Sequence, residues 1–473
     1  MTGRAHHIDI TQEFLRRIGS IADKSGVEAY VVGGYVRDRI LGREGTDVDI
    51  VVVGDGISFA RTVAEEFGCT NVVLFEKFGT AMLPLAEGKI EFVTAREESY
   101  VPESRKPMVK KASLESDLTR RDFTVNALAA SINGGTIGQV TDPFGGIADI
   151  REEILRTPLE PDRTFDDDPL RMMRALRFSS QLGFRIHQET LAGIVRKAER
   201  ISIVSKERIT EEFLKILRSP KPSVGLDLMN GTGLVKHVFP ELAETVGVEQ
   251  RKEYHHKDVF YHTLKVVDKI CGTTENVWLR FVALVHDIAK PRTKAFKEGI
   301  GWTFHGHEDL GARMMKSVFR RMRLPMEKLP YVEKLVRLHL RPMVLVSEEV
   351  TDSAVRRLLF EAGEDIDDLM ALARADITSG NPGRVTRYME NYDLVMEKMK
   401  EVEEKDRLRN WQPPVRGDEI MQVCALEPGP LVGVLKKKIE EAVLDGVIPN
   451  EHDAALRFLL AVKDDVLGQK PQE

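Results

Sequence analysis

The 473-residue sequence has few cysteines and lacks long hydrophobic runs. Its three cysteines, Cys69, Cys271 and Cys424, are odd in number and far apart, which argues against a disulfide framework and against a zinc knuckle. No apolar run exceeds about six residues, whereas a spanning helix needs roughly 20, so the pattern excludes an integral membrane protein. The first residues lack the apolar core of a signal peptide, and we therefore expect a protein of the cytoplasm.

The sequence also has no excess of positive charge. Its net charge is −6, with 30% charged and 42% hydrophobic residues, which is ordinary for a globular protein. Phosphate binding depends on local charge more than on the total, and basic clusters occur at 105–111, 120–121 and 436–438. The total charge therefore leaves nucleic-acid binding open.

Strand and helix signals alternate in the first part of the chain, and helical periodicity dominates the remainder. This order predicts an α+β head with a mixed sheet and helices, followed by a mostly α-helical body. The predicted elements of the head are strands 28–32 and 48–53, helices 35–41 and 57–67, and extended segments 71–85 and 89–95.

Three further segments are interpreted from their composition. The polar segment 98–111 contains two prolines and is predicted to be a mobile loop. The apolar segment 123–130 is predicted to be a helix, and 406–417, with Pro413-Pro414, is predicted to be a linker.

Two aspartates separated by one residue, Asp47 and Asp49, stand at the start of a predicted strand. Because strand side chains alternate with a period of two, both carboxylates lie on one face, where they repel each other unless a divalent cation neutralises them. Glu91 begins another predicted strand and is a candidate third ligand. Such a set typically holds two Mg²⁺ ions for phosphoryl transfer; the alternative is an exposed strand end with solvated acids.

A double glycine, Gly33-Gly34, stands between a predicted strand and a predicted helix. Glycine lets the backbone approach a phosphate closely, and a helix start offers free N–H groups. Arg37, one turn into the helix, is a candidate phosphate ligand or a partner of Asp38. A double glycine alone often marks only a tight turn, but the following Asp47-Val48-Asp49 makes it a strong indication of a nucleotide site.

Together these residues resemble the head-domain signature of the class II template-independent nucleotidyltransferases. That family comprises the CCA-adding tRNA nucleotidyltransferases and the bacterial poly(A) polymerases. The resemblance continues in RRDFTVNALA at 120–129, DPFGG at 142–146, DDPLRMMRALRF at 167–178 and SKER at 205–208. It implies a magnesium-dependent nucleotidyl transfer carried out by the head.

The motif at 120–129 implies nucleotide binding by Arg121, Asp122 and Asn126. The forked donors of an arginine suit ribose and triphosphate oxygens, and Asn126 is expected one turn further along the predicted helix. The alternative is an ordinary amphipathic helix with basic residues at its start.

The motif at 167–178 implies recognition of the base. An acid accepts from the exocyclic amine of cytosine or adenine, and a guanidinium donates to the adjacent ring acceptor, so Asp168 and Arg171 can admit C and A and reject U and G. The resemblance adds Asp167, Arg174 and Arg177 to the nucleotide-binding set, although the family commonly has glutamate at the first of these positions. An aspartate before a proline is also typical of a helix N-cap, so capping remains the alternative for Asp168.

A His-Asp dipeptide, His286-Asp287, follows an apolar run and marks a second candidate site. Imidazole and carboxylate ligands suit a transition metal, and Asp287 can bridge two ions. His305 is a rival for one ligand position. The other candidate ligands, each in its own predicted helix or turn, are His262, His307, His339 and Asp376.

The order of these ligands, with ALVHDIAKP at 283–291, resembles the HD-domain metal-dependent phosphohydrolases. The resemblance implies a transition metal such as Mn, Fe, Ni or Zn; the alternative is a silent site on a fold retained for RNA binding. The predicted domains are the head 1–150, a helical neck 151–245 for base recognition and RNA binding, the HD domain 246–400, and a linker with a C-terminal helical tail 401–473.

The predicted function is template-independent addition of C, C and A to the 3′ end of tRNA from CTP and ATP, with release of pyrophosphate. The expected partners are tRNA, ATP and CTP, without DNA or a membrane. A poly(A) polymerase and a CC- or A-adding enzyme share the same head motifs and remain alternatives. Alternatives of another class are an HD phosphohydrolase with a vestigial head and a noncatalytic RNA-binding protein.

Overall fold

The computed structural model divides the chain into two compact units, Met1–Pro240 and Glu241–Glu473. The structure describes residues 6–44, 48–76, 79–85, 88–101, 104–249, 258–347, 351–378, 381–406 and 414–468. Among these residues, no helix is long and apolar enough to cross a lipid bilayer.

The first unit is built on a mixed sheet, as the sequence predicts, and the sheet has seven strands. The strands are β1 Glu28–Val32, β2 Val48–Val53, β3 Val73–Phe75, β4 Thr80–Leu85, β5 Gly88–Thr94, β8 Ala129–Ser131 and β9 Val140–Thr141. Their spatial order is β3-β4-β5-β2-β1-β8-β9. Strands β2 and β5 are parallel, and the other neighbouring pairs are antiparallel.

Several helices accompany this sheet, and Leu118 from one of them is buried in a cluster with Val32 of β1 and Val51 of β2. In β2, Asp49 is exposed between the buried Val48 and Ile50, whereas Val51, on the same face as Asp49, is buried. Both faces of this strand are therefore covered beyond Asp49. The helices are α1 Glu13–Ser25, α2 Gly34–Ile40, α3 Gly56–Phe67, α4 Leu114–Thr119 and α5 Gly146–Arg151.

The prediction of a loop at 98–111 is wrong. This segment belongs to an antiparallel ribbon of β6 Arg96–Val101 and β7 Ser104–Lys111. Each strand of a two-stranded ribbon has one unpaired edge, so Pro107 can lie within β7 without necessarily removing a ladder hydrogen bond. Prolines therefore do not exclude a strand here.

The prediction of a helix at 123–130 is also wrong. Only Thr124–Asn126 form a 3₁₀ turn, and Ala129–Ser131 then continue as strand β8 beside β1. A short apolar run fits a buried strand as well as a buried helix, and pairing with β1 decides between them.

The remainder of the first unit is mainly helical. Two short strands, β10 Ile154–Leu155 and β11 Arg185–Ile186, pair in parallel. Phe213 and Phe239 pack edge to face with ring centroids 5.9 Å apart. The helices are α6 Pro161–Asp167, α7 Leu170–Leu182, α8 Gln188–Lys197, α9 Lys206–Arg218, α10 Pro222–Gly231 and α11 Val235–Val238, and α12 Pro240–Ala243 follows at the unit boundary.

The described residues of the second unit form mainly helices, with one small hairpin of β12 Ala295–Lys297 and β13 Gly301–Thr303. Phe281 and Phe319 are fully buried and pack edge to face. The helices up to the predicted linker are α13 Val259–Cys271, α14 Val277–Val285, α15 Lys290–Thr293, α16 His307–Met322, α17 Leu329–Leu338, α18 Arg341–Ser347, α19 Asp352–Ala362, α20 Ile366–Asp376 and α21 Pro382–Asp406.

The last helices have a core of their own. Ile420, Leu435, Ile439 and Leu459 are fully buried in one cluster. Most of the predicted linker, residues 407–413, lies outside the described residues. The helices are α22 Gly417–Cys424, α23 Pro430–Leu444 and α24 His452–Gly468.

Candidate active site and metal centre

Two carboxylates face each other across neighbouring strands of the head. Asp49 in β2 is paired in register with Glu91 in β5, and the next pair, Ile50 and Phe92, points into the core. Loss of water around Glu91, and then the negative charge of Asp49, raise the pKa of Glu91. Asp47 lies outside the described residues. Two repelling acids on one exposed face suit a divalent cation between them.

These acids line a cleft of about 660 Å³ in the first unit. The cleft brings together most of the residues that the sequence predicts for nucleotide binding. Asp167 and Arg177 are the exceptions, because neither lines it. The predicted residues that do line it are Gly33, Gly34, Arg37, Asp49, Glu91, Arg121, Asp122, Asn126, Asp168, Arg171 and Arg174.

Gly33 allows an arginine to approach the turn before α2. Its φ of 67° is in the left-handed region, and a Cβ on it would stand 2.9 Å from Nη1 of Arg121. The guanidinium of Arg121 therefore occupies the space that a side chain at position 33 would need, and both residues line the cleft.

A chain of hydrogen bonds connects three segments at the cleft. Arg37 Nη1 donates to Oδ1 of Asn126 at 2.6 Å, and Asn126 Nδ2 donates to Oδ1 of Asp122 at 3.0 Å. Arg174 Nε donates to the other oxygen of Asp122 at 2.7 Å. Burial alone would raise the pKa of Asp122, but the charge of Arg174 and the Asn126 hydrogen bond lower it to about 2. Arg174 is thus held by a buried, ionised carboxylate, and Arg37 is held by the buried amide of Asn126, which that carboxylate orients.

Asp168 and Arg171 both face the cleft, and each also has a structural role. Asp168 Oδ1 accepts from the backbone N–H of Leu170 at 3.1 Å, so this carboxylate caps the start of α7. Its other oxygen lies 3.9 Å from Nη2 of Arg208. Arg171 donates to the backbone carbonyls of Arg120 and Thr164. Capping and exposure to the cleft therefore coexist at Asp168.

Arg177 lies behind the cleft. Its Nε stands 3.1 Å from Oε2 of Glu212, and its guanidinium covers the ring of Phe178 at 4.2 Å. Burial lowers the pKa of Arg177 to about 10. The guanidinium groups of Arg37 and Arg174 also lie 5.3 Å from the Phe178 centroid. The ring therefore makes cation–π contacts with three arginines, Arg37, Arg174 and Arg177.

Sequence reasoning missed several residues at or beside the cleft, among them Phe178, Arg208 and Asp117. Phe178 and Arg208 line it, and the buried Asp117 binds the guanidinium groups of Arg120 and Arg121. The signals were present: Arg208 is in the SKER motif, and Asp117 precedes the two arginines by three and four residues, which is contact spacing on a helix.

The second site consists of two groups of three potential ligands in the second unit. In the first group, His262 Nε2 and His286 Nε2 lie 2.9 and 3.5 Å from Oδ1 of Asp376. In the second group, His307 Nε2 and His339 Nε2 lie 3.2 and 3.7 Å from Oδ1 of Asp287. Within each group the ligand atoms lie within 4.8 Å of one another.

Asp287 connects the two groups. Its Oδ2 lies 3.3 Å from Nε2 of His286 and 2.6 Å from Nζ of Lys290, while Oδ1 faces the second group. Burial opposes ionisation of Asp287, but the charges of His286 and Lys290 hold its pKa well below its usual range. This placement suits the bridging role that the sequence predicts.

The histidine rings are oriented by their Nδ1 atoms. His286, His307 and His339 place Nδ1 within 2.6–2.9 Å of the backbone carbonyls of Ala283, Phe304 and Val336. Nδ1 of His262 lies 2.8 Å from Oγ1 of Thr378. When Nδ1 carries the proton and donates it, the lone pair of Nε2 faces the other ligands, which is the arrangement found in metal-bound histidines.

The environment of His286 indicates whether the residues of this site fit a metal ion. Its Nε2 is buried and has no hydrogen-bond partner within the described part of the chain. Burial lowers the pKa of His286, but the facing Asp287 and Asp376 raise it to about 10. The acids thus favour a positive charge at this point, which a metal ion can supply. His305 is exposed and belongs to neither group, so His307 fills the contested position.

Family models match three parts of the chain. Residues 29–156 match the poly A polymerase head domain, and 259–379 match the HD domain. Residues 183–245 match the model described as "Probable RNA and SrmB- binding site of polymerase A". The HD match includes all six potential ligands of the second site.

Curated relatives place the chain in a family. It is 31% identical to the A-adding tRNA nucleotidyltransferase of Deinococcus radiodurans over 437 residues, 90% of this chain and 94% of the relative. It is also 31% identical to the CC-adding enzyme of Thermus thermophilus, over 92% of this chain and 93% of the relative. Identity to the A-adding enzyme of Geobacter sulfurreducens is 38%, but over only 49% of this chain and 26% of that longer protein. The chain belongs to the tRNA nucleotidyltransferase family, and the resemblance seen in the sequence is confirmed.

A solved structure supports the same assignment. The CCA-adding enzyme of Bacillus stearothermophilus, determined with CTP, matches with a TM-score of 0.64 and 25% identity. The match covers 97% of this chain and 100% of that one. The predicted fold class, a mixed-sheet head followed by a helical body with an HD domain, is confirmed.

Proposed function

We propose that this protein adds C, C and A to the 3′ end of tRNA from CTP and ATP, with release of pyrophosphate. In this reaction the terminal ribose hydroxyl of the tRNA attacks the α-phosphate of the incoming nucleotide. The observation that carries the proposal is the in-register pair Asp49 and Glu91 in a cleft lined with arginines. A cleft with acids on one wall and guanidinium groups on the others suits a metal–triphosphate complex.

The acids of the head would hold magnesium. We assign Asp47, Asp49 and Glu91 to this role, since oxygen ligands and exposure suit a hard ion that keeps substrate phosphates as ligands. The bound ions supply activation of the attacking hydroxyl and neutralisation of the leaving pyrophosphate.

The arginines of the cleft would bind the nucleotide. Arg121 lies against the Gly33 turn, and Arg37 and Arg174 are held by Asn126 and Asp122. Their planar donors suit triphosphate and ribose oxygens. Because these partners fix the arginines before a nucleotide binds, little side-chain freedom is lost on binding.

Asp168 and Arg171 would select the base. A carboxylate acceptor beside a guanidinium donor matches the pattern shared by cytosine and adenine. In Asp168→Ala, we expect UTP incorporation to rise relative to CTP and ATP. The matched control is Asp162→Ala, an exposed acid of the neighbouring helix α6 that does not line the cleft. Unchanged discrimination in Asp168→Ala would leave this residue as a helix cap alone.

The test of the overall reaction uses tRNAs that lack A, CA or CCA, with CTP and ATP supplied singly and together. Completion of all three substrates supports CCA addition. A-addition only to tRNA ending in CC is the second candidate, favoured by the A-adding name of the D. radiodurans relative. Homopolymeric A tails on arbitrary RNA ends would indicate a poly(A) polymerase instead.

The HD site would bind a transition metal through His262, His286, Asp287, His307, His339 and Asp376. The buried Nε2 of His286, which has no hydrogen-bond partner among the residues that the structure describes, supports this proposal, and imidazole ligands favour Mn, Fe, Ni or Zn over magnesium. A metal-dependent phosphohydrolase activity at this site is a second proposed function.

Binding of tRNA would depend on local basic residues, because the chain as a whole carries a net charge of −6. We expect the affinity for tRNA to fall linearly with salt on a log–log plot. An affinity that does not change with salt would contradict recognition of the RNA backbone.

Because tRNA is the proposed substrate, we place the reaction in the cytoplasm.

A further inference from the structure

Asp117 in α4 is a fully buried carboxylate that no motif assigns to the reaction. Its Oδ1 accepts from Nη2 and Nε of Arg120 at 2.6 and 3.0 Å, and Oδ2 accepts from Nη2 of Arg121 at 3.2 Å. Both arginines line the cleft. One buried carboxylate thus binds two guanidinium groups of the cleft.

The contacts of Asp117 reach further than this pair. Its Oδ1 also accepts from the backbone N–H of Arg96, the first residue of the β6–β7 ribbon, at 3.4 Å. The backbone carbonyl of Arg120 accepts from Nη2 of Arg171, the residue proposed to read the base. Asp117 therefore contacts Arg120 and Arg121 directly, and it is connected to Arg171 through Arg120.

The negative charge of Asp117 offsets repulsion among the arginines of the cleft. Arginines converge on the cleft from several elements, and they repel one another when no nucleotide is bound. Burial opposes ionisation of Asp117, yet the charges of Arg120 and Arg121 lower its pKa, so the carboxylate is negative at neutral pH. An ionised acid beneath two arginines both neutralises them and fixes their direction.

We propose that Asp117 is a positioning residue for nucleotide binding, acting through Arg120 and Arg121 on the triphosphate and through the Arg120 carbonyl on Arg171. This inference rests on the proposed function for its consequences in catalysis. Its consequence for nucleotide binding can be measured without any turnover.

The first measurement is binding by Asp117→Asn, which removes the charge and keeps the size. Equilibrium dialysis gives the dissociation constants of ATP and of inorganic tripolyphosphate, which has no base. We expect both to weaken about tenfold, because the change acts on the phosphate side. The matched control is Asp149→Asn, since Asp149 is likewise buried, pairs with Arg156 at 3.2 Å and does not line the cleft.

A double-mutant cycle separates positioning from a general loss of structure. If Asp117 acts through Arg120 and Arg121, its replacement should weaken tripolyphosphate binding little further in a background that carries both Arg120→Ala and Arg121→Ala. In turnover, Asp117→Asn should raise KM for ATP and CTP about tenfold, change kcat less, and raise the fraction of UTP incorporated, because Arg171 is released.

The results separate this proposal from the proposed function. If the wild-type protein binds ATP but adds no nucleotide to tRNA, the proposed function is refuted, and the binding test of Asp117 still applies. Unchanged ATP and tripolyphosphate binding in folded Asp117→Asn, or full additivity with the combined Arg120→Ala and Arg121→Ala changes, would overturn the positioning role. If Asp117→Asn does not fold, Asp117→Ser, which leaves room for water, is measured by the same two criteria.

Discussion

At the scale of single residues, buried acids determine how the cleft arginines are placed, and Asp122 shows the energetic consequence. Its pKa of about 2 lies below the ordinary value of 3.8. The ionised carboxylate therefore stabilises the folded state above pH 4, by about 2 kcal/mol, and this contribution is lost as the pH falls from about 4 to about 2.

The prediction for Asp122 is a pH-dependent difference in the free energy of unfolding. Asp122→Asn should be less stable than wild type near neutral pH, and the gap should narrow by about 2 kcal/mol between pH 4 and pH 2. Denaturant titrations across that range measure it. Asp162→Asn, which breaks an exposed pair with Arg196, should change stability by less than about 1 kcal/mol. A gap that stays constant with pH would contradict a lowered pKa of Asp122.

Also at the scale of single residues, Asp49 is the described aspartate that we propose as a metal ligand. Asp49→Ala should abolish nucleotide addition and leave the affinity for tRNA within about twofold, because the carboxylate faces Glu91 and would hold metal and not RNA. Primer extension and filter binding measure the two properties. Glu28→Ala, an exposed acid on β1 outside the cleft, is the control and should retain addition. Near-native turnover of Asp49→Ala at saturating magnesium would refute the metal assignment.

At the scale of elements, close backbone approaches fix how short helices sit on the head. A Cβ on Gly146, at the start of α5, would stand 2.2 Å from the carbonyl oxygen of Thr124. That contact is with backbone, so neither side can move cheaply. Asp142 adds to the constraint by accepting from the N–H groups of Gly146 and Ile147.

Gly146→Ala should therefore lower the free energy of unfolding by about 1–3 kcal/mol through overpacking. Gly231→Ala is the matched control, because a Cβ at that helical position meets nothing within 4 Å. Its effect should lie within about 0.5 kcal/mol of zero. Calorimetric unfolding of the full chain measures both variants. Equal stability of the two would show that α5 can shift away from Thr124 at little cost.

The elements also show where local sequence signals fail. Segment 98–111 was predicted as a loop, and the segment 123–130, which contains most of β8, was predicted as a helix. Composition could not reveal the ribbon, because a polar strand pairs with its partner through backbone groups that every residue has. It could not reveal β8, because a short apolar run fits a buried strand and a buried helix equally well. The short helices α2 and α3 were predicted within one residue, since each follows a strand and starts beside a glycine.

At the scale of the whole molecule, the two candidate sites lie in different compact units and use different ligand chemistry. His286→Ala combined with Asp287→Ala removes one ligand from each group of the HD site. We expect this double variant to lose bound transition metal and any phosphohydrolase activity, and to keep nucleotide addition. Metal analysis of the purified proteins, with both activities assayed, measures this outcome.

The chain supplies its own control for that experiment. His452 and Asp453 form a second His-Asp dipeptide, exposed on α24 and outside both ligand groups. Replacing both by alanine should leave the metal content unchanged. Equal metal content in all three proteins would refute the HD assignment, and loss of nucleotide addition in a folded His286→Ala, Asp287→Ala variant would show that the two sites depend on each other.

The sequence by itself determined the fold class and supplied the candidate residues of both sites. Alternation with a period of two predicted that Asp47 and Asp49 share one face of a strand, because that signal is local. The order of the histidines and aspartates from His262 to Asp376 resembled that of the HD domains. Only the tertiary structure decided which groups meet. Arg37 and Asn126 are 89 residues apart, and His262 meets Asp376 from a different helix. Such contacts depend on strand pairing and helix packing between distant segments, for which a single sequence carries no local signal.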